Sequence, residues 1–391
     1  MNYFVKNIKI NKLFHLKDLK ILISENNPHL LITGKNGSGK TILLKAIADY
    51  LDTLEKNIPN EGMVVWEPFV SYSGSFEKFR GTVDLDIINK SEIIKDIENR
   101  NFIISYYSAG RHSKMAEPKT PTKPDLQNNS KSYVDLTDQF LYFLSDLKIQ
   151  EALARNEQQN KDADEIRTWF DEFENMLKEL YKDTNLKLIF NYKDYSFKIS
   201  TNGKEFKFTE MSDGYIAAID IIADLILKMQ NGNSLTRNYK KEGIVLIDEI
   251  ETHLHLELQR IVMPMLTKIF PNIQFIVSTH SPFVLSSMPN AVAYDLEHRE
   301  AIDDLTEYSY EALAEGYFGV RTDSSYMEMR LESLRSLLEK DNLTNGDKEK
   351  ISMLLNDFEQ IPEIVSPLLK GEFLQLKVEY SDKLHSFVNM P

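Results

Sequence analysis

The octet Gly34-Lys35-Asn36-Gly37-Ser38-Gly39-Lys40-Thr41 follows directly on the apolar run Leu30-Leu31-Ile32. No other feature narrows so far the folds open to this chain. Three glycines leave successive backbone N–H groups free to face one concavity, an anion-binding nest. A strand must deliver such a loop and a helix must leave it, so that the helix's positive end faces the same anion. The pattern G-x-x-x-x-G-K-[ST] is the Walker A phosphate loop, and it makes Gly34 to Thr41 the expected nucleotide-binding residues. Its chemistry gives Lys40 to the β/γ-phosphates and the Thr41 hydroxyl to Mg²⁺. The spacing predicts a helix from Thr41 to about Leu51.

Three later stretches can meet that loop. Ile244-Val245-Leu246-Ile247-Asp248-Glu249 is an apolar strand pattern ending in two carboxylates. A buried strand that ends in Asp sets the carboxylate at the sheet's carboxyl edge, where ligands bind. Asp248 is the expected ligand of the Mg²⁺ shell, and Glu249 the residue that polarises the attacking water. Ile276-Val277-Ser278-Thr279-His280-Ser281 ends the next strand, one helix and one strand further on. It brings His280 to the same edge, where an imidazole can contact the γ-phosphate. Met211-Ser212-Asp213-Gly214-Tyr215 precedes a predicted helix over Ile216–Met229. Ser212, Asp213 and Gly214 there offer a hydroxyl and free N–H groups to an anion. Lys40, Glu249 and His280 are the expected catalytic residues.

The rest of the chain sets these motifs in order. Strand patterns run over Phe4–Ile10, Leu19–Ile23, Met63–Tyr72, Gly81–Ile88 and Phe102–Tyr107. Lys114 to Lys131, with Pro118, Pro121 and Pro124 among polar residues, reads as an exposed, mobile loop. Helical patterns follow at Leu136–Asn156 and Ala163–Tyr181, then strands at Leu186–Asn191, Tyr195–Ser200 and Lys204–Phe208. Helix and strand alternate from residue 212 onward, which implies a parallel sheet covered by helices. Beyond about residue 300 the pattern is amphipathic helix, as in Met327–Leu338 and Lys348–Phe358.

In this order the motifs resemble those of the ATP-binding-cassette superfamily: Walker A at Gly34–Thr41, signature at Met211–Gly214, Walker B at Asp248-Glu249 and switch histidine at His280. The finer texture is Asp248-Glu249-Ile250-Glu251-Thr252-His253-Leu254-His255, then Gln259, then Gln274 to Pro282. It resembles the OLD-like and SMC-like branch, which includes the ATPase subunits of bacterial anti-phage systems such as Septu, PARIS and retron-associated ATPases. Tyr106-Tyr107-Ser108-Ala109-Gly110-Arg111 is similar to a short strand-plus-arginine element of that branch. Ile250 and Leu256 stand where that branch has prolines, and Gln127 and Gln139 are the candidates for the Q-loop glutamine.

The resemblance implies an α/β fold: an ABC-type P-loop NTPase with a mixed central sheet, an antiparallel β subdomain, a helical insertion and a helical C-terminal extension. It implies an ATPase domain in two parts, 1–110 and 208–297, around an insertion at 111–207 and before an extension at 298–391. It implies ATP and Mg²⁺ as cofactors and a homodimer or higher even oligomer. Its further implications are a separately encoded effector of nuclease type and a DNA or phage-protein trigger. An SMC-like ATPase of DNA repair or chromosome maintenance, and an ATP sensor that does not hydrolyse, remain alternatives. Asp213 and Tyr215 depart from the transporter signature and weigh against a transporter subunit. No strand–acid pattern follows Leu296, so no nuclease is expected within this chain.

Charge and composition exclude less. A net charge of −14 argues against a surface that grips nucleic acid throughout. The absence of cysteine removes disulfides and thiolate zinc sites. His253 and His255 do not share a helix face, so zinc is not expected there either. The N-terminus has no leader pattern and the apolar runs are too short for a bilayer, so the expected place is the cytoplasm, with no membrane partner.

Overall fold

The computed structural model describes residues 4–55, 79, 81–112, 114–126, 133–230, 239–303, 305–308, 310, 312–313, 325–340, 342–361, 367–381 and 383–384. The strand expected at Met63–Tyr72 and the candidate Gln127 lie outside them. The chain divides into two compact units, Met1–Tyr310 and Glu311–Pro391.

The first unit begins with β1 (Val5–Leu13) and β2 (Leu16–Leu22), an antiparallel hairpin. Val5, Ile8, Ile10 and Leu13 face inward, while Lys6, Lys9 and Lys12 face solvent, and a register shift between Val5 and Asn7 breaks strict alternation. β3 (His29–Thr33) is buried along its whole length. It runs through the phosphate loop into α1 (Lys40–Glu55). β4 (Val83–Ile87) joins the other edge of β1. α2 (Lys90–Glu98) and β5 (Phe102–Tyr107) follow.

The insertion is the helical hairpin α3 (Phe140–Asn156) and α4 (Asn160–Tyr181), then the antiparallel strands β6 (Lys187–Asn191), β7 (Ser196–Thr201) and β8 (Lys204–Lys207). Aromatic rings hold it together. Trp169 stacks on Phe173 at 5.4 Å, Phe170 on Phe197 at 6.0 Å and Phe173 on Phe208 at 6.5 Å. The segment before α3 is irregular, as its prolines predict, but it is pinned. Pro118 and Leu126 are buried, and Lys114 pairs with Asp135 at 3.4 Å.

The remaining elements complete the central sheet: α5 (Asp213–Lys228), β9 (Glu242–Ile247), α6 (Leu256–Ile269), β10 (Ile273–Ser278), α7 (Pro282–Leu285), β11 (Ala291–Asp295) and β12 (Glu300–Asp303). The strand order is β12-β11-β3-β10-β9-β5, parallel from β11 to β5 with β12 antiparallel at the edge. β5 and β9 approach closely: a Cβ on Gly243 would sit 2.4 Å from the Ile103 carbonyl oxygen, so only glycine fits. Register then fixes the site. Val277 lies level with Leu31 and with Ile247, and Ile247 with Tyr107. The carboxyl ends of β3, β10, β9 and β5 therefore emerge along one edge. Among the described residues of the second unit, α8 (Ser325–Glu339), α9 (Asn345–Glu359) and α10 (Pro367–Glu379) pack around Leu334, Leu338, Phe358 and Phe373.

Candidate nucleotide site

The phosphate loop has the conformation its glycines permit. Gly34, Gly37 and Gly39 take φ of +128°, +84° and +103°, values that L side chains rarely adopt. A Cβ on Gly34 would meet Ser38 Oγ at 3.0 Å, and one on Gly39 would meet Leu16 at 3.0 Å. The loop thus lies against the β1–β2 hairpin, and His15 Nε2 sits 2.9 Å from the Ser38 carbonyl oxygen. Lys35, Asn36 and Gly37 are exposed, and Lys35 pairs with Glu297 at 2.8 Å. Lys40 is 5% exposed and folds back over the loop, donating to the carbonyls of Gly34 at 2.8 Å and Lys35 at 3.2 Å. Burial draws its ammonium below the usual lysine range, while Glu249, Glu251, Asp248 and Asp295 pull the other way.

The strand-end carboxylates meet this loop from β9. Thr41 Oγ1 donates to Asp248 Oδ1 at 3.2 Å, and Ser278 Oγ donates to the same oxygen at 2.6 Å. One oxygen of Asp248 thereby joins the ends of the phosphate loop, β9 and β10. Glu249 follows in a left-handed conformation, φ +46°, with its amide donating to Ser278 Oγ at 2.8 Å. Its neighbour Glu251 accepts from the His280 amide at 2.5 Å, and burial raises its carboxyl above the usual range. The half-buried His280 imidazole is held below its ordinary value, first by burial and then by the Lys40 charge, so it is neutral near pH 7.

The structure thus brings Lys40, Thr41, Asp248, Glu249 and His280 into one electrostatic neighbourhood. Ser212 stands at the N-cap of α5 with extended backbone, and its side chain caps no amide of that helix. Ser212 and Asp213 are exposed, whereas Gly214 is buried where a Cβ would meet the His253 carbonyl oxygen at 3.0 Å. Gly214 is therefore also a packing glycine. Gln139 is engaged elsewhere: Oε1 accepts from the Asp125 amide at 2.9 Å and Nε2 donates to Asp138 at 2.9 Å.

Reading the sequence did not assign His15, Glu251, Ser278 or Glu297 to this edge. Ser278 and Glu251 carried a local signal, since each lies two residues from a predicted site residue. His15 carried none, because its partner is fixed only by the hairpin's packing.

The model of the family described as "AAA domain, putative AbiEii toxin, Type IV TA system" matches residues 30–286. The chain belongs to this family. It is similar to the Septu protein PtuA of Bacillus mycoides, 25% identical over 95% of this chain and 53% of that protein. It is also similar to the Retron Vc95 probable ATPase of Vibrio cholerae, 31% identical over 33% of this chain and 26% of that one. This chain spans about half the length of the Septu relative and a smaller part of the retron one. Among solved structures, the Smc head bound to the C-winged helix domain of ScpA aligns at a TM-score of 0.41 and 16% identity, over 77% of this chain and 96% of that one. The fold is that of a P-loop ATPase, a phosphate loop and a strand-end Asp side by side on a mixed sheet. Among the described residues, no helix is long and apolar enough to cross a membrane.

Proposed function

We propose that this chain binds ATP with Mg²⁺ and hydrolyses it, and that the ATP state is a switch within a bacterial anti-phage defence system. One observation carries the reading: the hydrogen bond from Thr41 on the phosphate loop to Asp248 at the end of β9, 3.2 Å long. Two hard oxygen donors side by side suit Mg²⁺, which takes few protein ligands and fills its other positions with phosphate oxygens and water. When bound, the ion neutralises phosphate charge. The chain's own residues do the rest. The loop amides and Lys40 bind the phosphates, Glu249 takes the proton of the attacking water, and neutral His280 donates or accepts one hydrogen bond beside it.

The defence reading rests on the relatives named as Septu and retron ATPases and on the motif texture shared with that branch. In it, 1–110 and 208–297 form the ATPase, acting in the cytoplasm as an ATP-closed dimer. The segments 111–207 and 298–391 meet a separately encoded effector of nuclease type, after a DNA or phage-protein trigger.

Glu249→Gln should keep ATP binding and slow hydrolysis by about 10²–10⁴-fold. Lys40→Ala should instead lose binding. Hydrolysis by Glu249→Gln at the parent rate would show that the base is elsewhere. Removing residues 311–391 should abolish co-purification of the effector and leave ATP hydrolysis in place. Retention of the effector would leave 111–207 as its surface.

A further inference from the structure

Beyond Tyr107 the chain leaves β5 as Ser108-Ala109-Gly110-Arg111 and returns over the end of β9. Arg111 Nη1 donates to the carbonyl oxygens of Ser108 at 3.2 Å and Asp248 at 3.1 Å. Nη2 donates to those of Ile250 at 2.9 Å and Glu249 at 3.4 Å. The carbonyls of three successive residues, 248 to 250, thus converge on one guanidinium. A planar fork of five donors can serve them together, and a lysine ammonium cannot.

The turn so gripped is strained. Glu249 is a non-glycine residue in the left-handed region, a state that persists only where the surroundings over-determine it. Ser278 holds its amide and Arg111 its carbonyl, so both flanking peptides are fixed. Arg111 is mostly buried, and burial lowers its pKa while Glu251, Asp248, Asp220 and Glu249 raise it. Its charge therefore sits among carboxylates, yet its hydrogen bonds are to the main chain.

We propose that Arg111 is the positioning residue for Glu249: its guanidinium clamps the carbonyls of residues 248–250 and holds the left-handed turn that aims the Glu249 carboxylate. The inference rests on the reading of Glu249 as the base. Arg111 acts through that turn, so its loss changes turnover more than nucleotide binding.

The test uses the full chain with Arg111→Lys and Arg111→Ala. A base displaced by about 1 Å loses on the order of 10–100-fold in rate, and kcat for ATP should fall by that factor in Arg111→Lys while KM stays within about threefold. Arg111→Ala should regain turnover with millimolar guanidinium and not with ammonium at equal ionic strength. Amide exchange over residues 249–254 should quicken by about tenfold or more in both variants, with β10 unchanged. An unchanged kcat overturns the proposal, as does a rise in KM alone. Exchange that rises equally over β9, β10 and the turn also overturns it, because Arg111 then supports the fold at large. If the parent protein itself fails to hydrolyse ATP, the ATPase reading falls, and the exchange arm still judges the clamp: unchanged exchange at 249–254 overturns it.

Discussion

His29 opens β3 with its imidazole fully buried, and burial lowers its pKa from 6.5 to about 4. Nδ1 accepts from the Phe275 amide at 3.1 Å, which requires the neutral ring. The unfolded chain takes up a proton near pH 6.5 and the folded chain only near pH 4. Stability from His29 is thus complete above pH 6.5 and is lost as pH falls towards 4, by about 3 kcal/mol at 1.36 kcal/mol per unit. Urea denaturation between pH 7 and 4 should show that slope reduced in His29→Gln, whose side-chain carbonyl can still accept from Phe275. An equal slope in both proteins would mean that another group carries it. At this scale the sequence showed residues whose role depends on near neighbours: Gly34 to Thr41 within one loop, and Asp248 and Glu249 at one strand end. It did not show those whose role depends on distant chain. Gln274 stands inside the quoted motif, yet its amide stitches the N-terminus to the sheet, bonding Val5 N at 2.7 Å and Pro28 O at 2.7 Å. No periodicity announces a partner so far away in sequence.

Among the elements, α5 shows how the site is braced from behind. It carries the buried ion pair Asp224–Lys228 at 2.9 Å, 1% and 2% exposed. Tyr107 Oη donates to Asp224 at 2.6 Å, Lys228 donates to Ser105 Oγ at 3.0 Å, and the Leu136 amide donates to Asp224 at 2.8 Å. One network thus ties the helix that begins at Ser212 to β5, and β5 leads on to Arg111. Removing one partner leaves a charge buried alone, so Lys228→Met should lower stability by about 3–5 kcal/mol. The double change Asp224→Leu with Lys228→Met should cost less than the sum of the singles, since their charges no longer oppose the apolar interior. Additive losses in denaturant titration would show that the two do not act as a pair. Long elements with clear periods were legible in the sequence: α3, α4, α5 and the buried strands around the motifs. The short strands β4, β6, β7 and β8 were legible too, but α2, β11 and β12 were not. α2 is only nine residues long and has one fully inward residue, Ile93. β11 and β12 are five and four residues long. β11 is buried throughout, and a short apolar run without alternation reads equally as helix or strand.

For the whole molecule, the question is where the Ser212 element acts. Its hydroxyl caps nothing in its own helix, and it stands exposed with Asp213. In the proposed two-fold dimer, each ATP lies between the phosphate loop of one chain and Ser212–Gly214 of its partner, and a two-fold axis makes two such sites at once. The composite site has a consequence that a self-contained site lacks. Lys40→Ala spoils the site its own loop forms, and Ser212→Arg spoils the site it completes in the partner. Neither variant alone should hydrolyse ATP. Mixed in equal amounts, half of the dimers pair one of each, and in those dimers one of the two sites has both an intact Lys40 and an intact Ser212. The mixture should therefore recover about a quarter of the parent rate, counting two equivalent sites per dimer. If each chain instead completed its own site, every site in the mixture would still carry one of the two changes, and mixing would restore nothing. Steady-state phosphate release from the mixture, at protein concentrations where the parent is dimeric, separates the two arrangements.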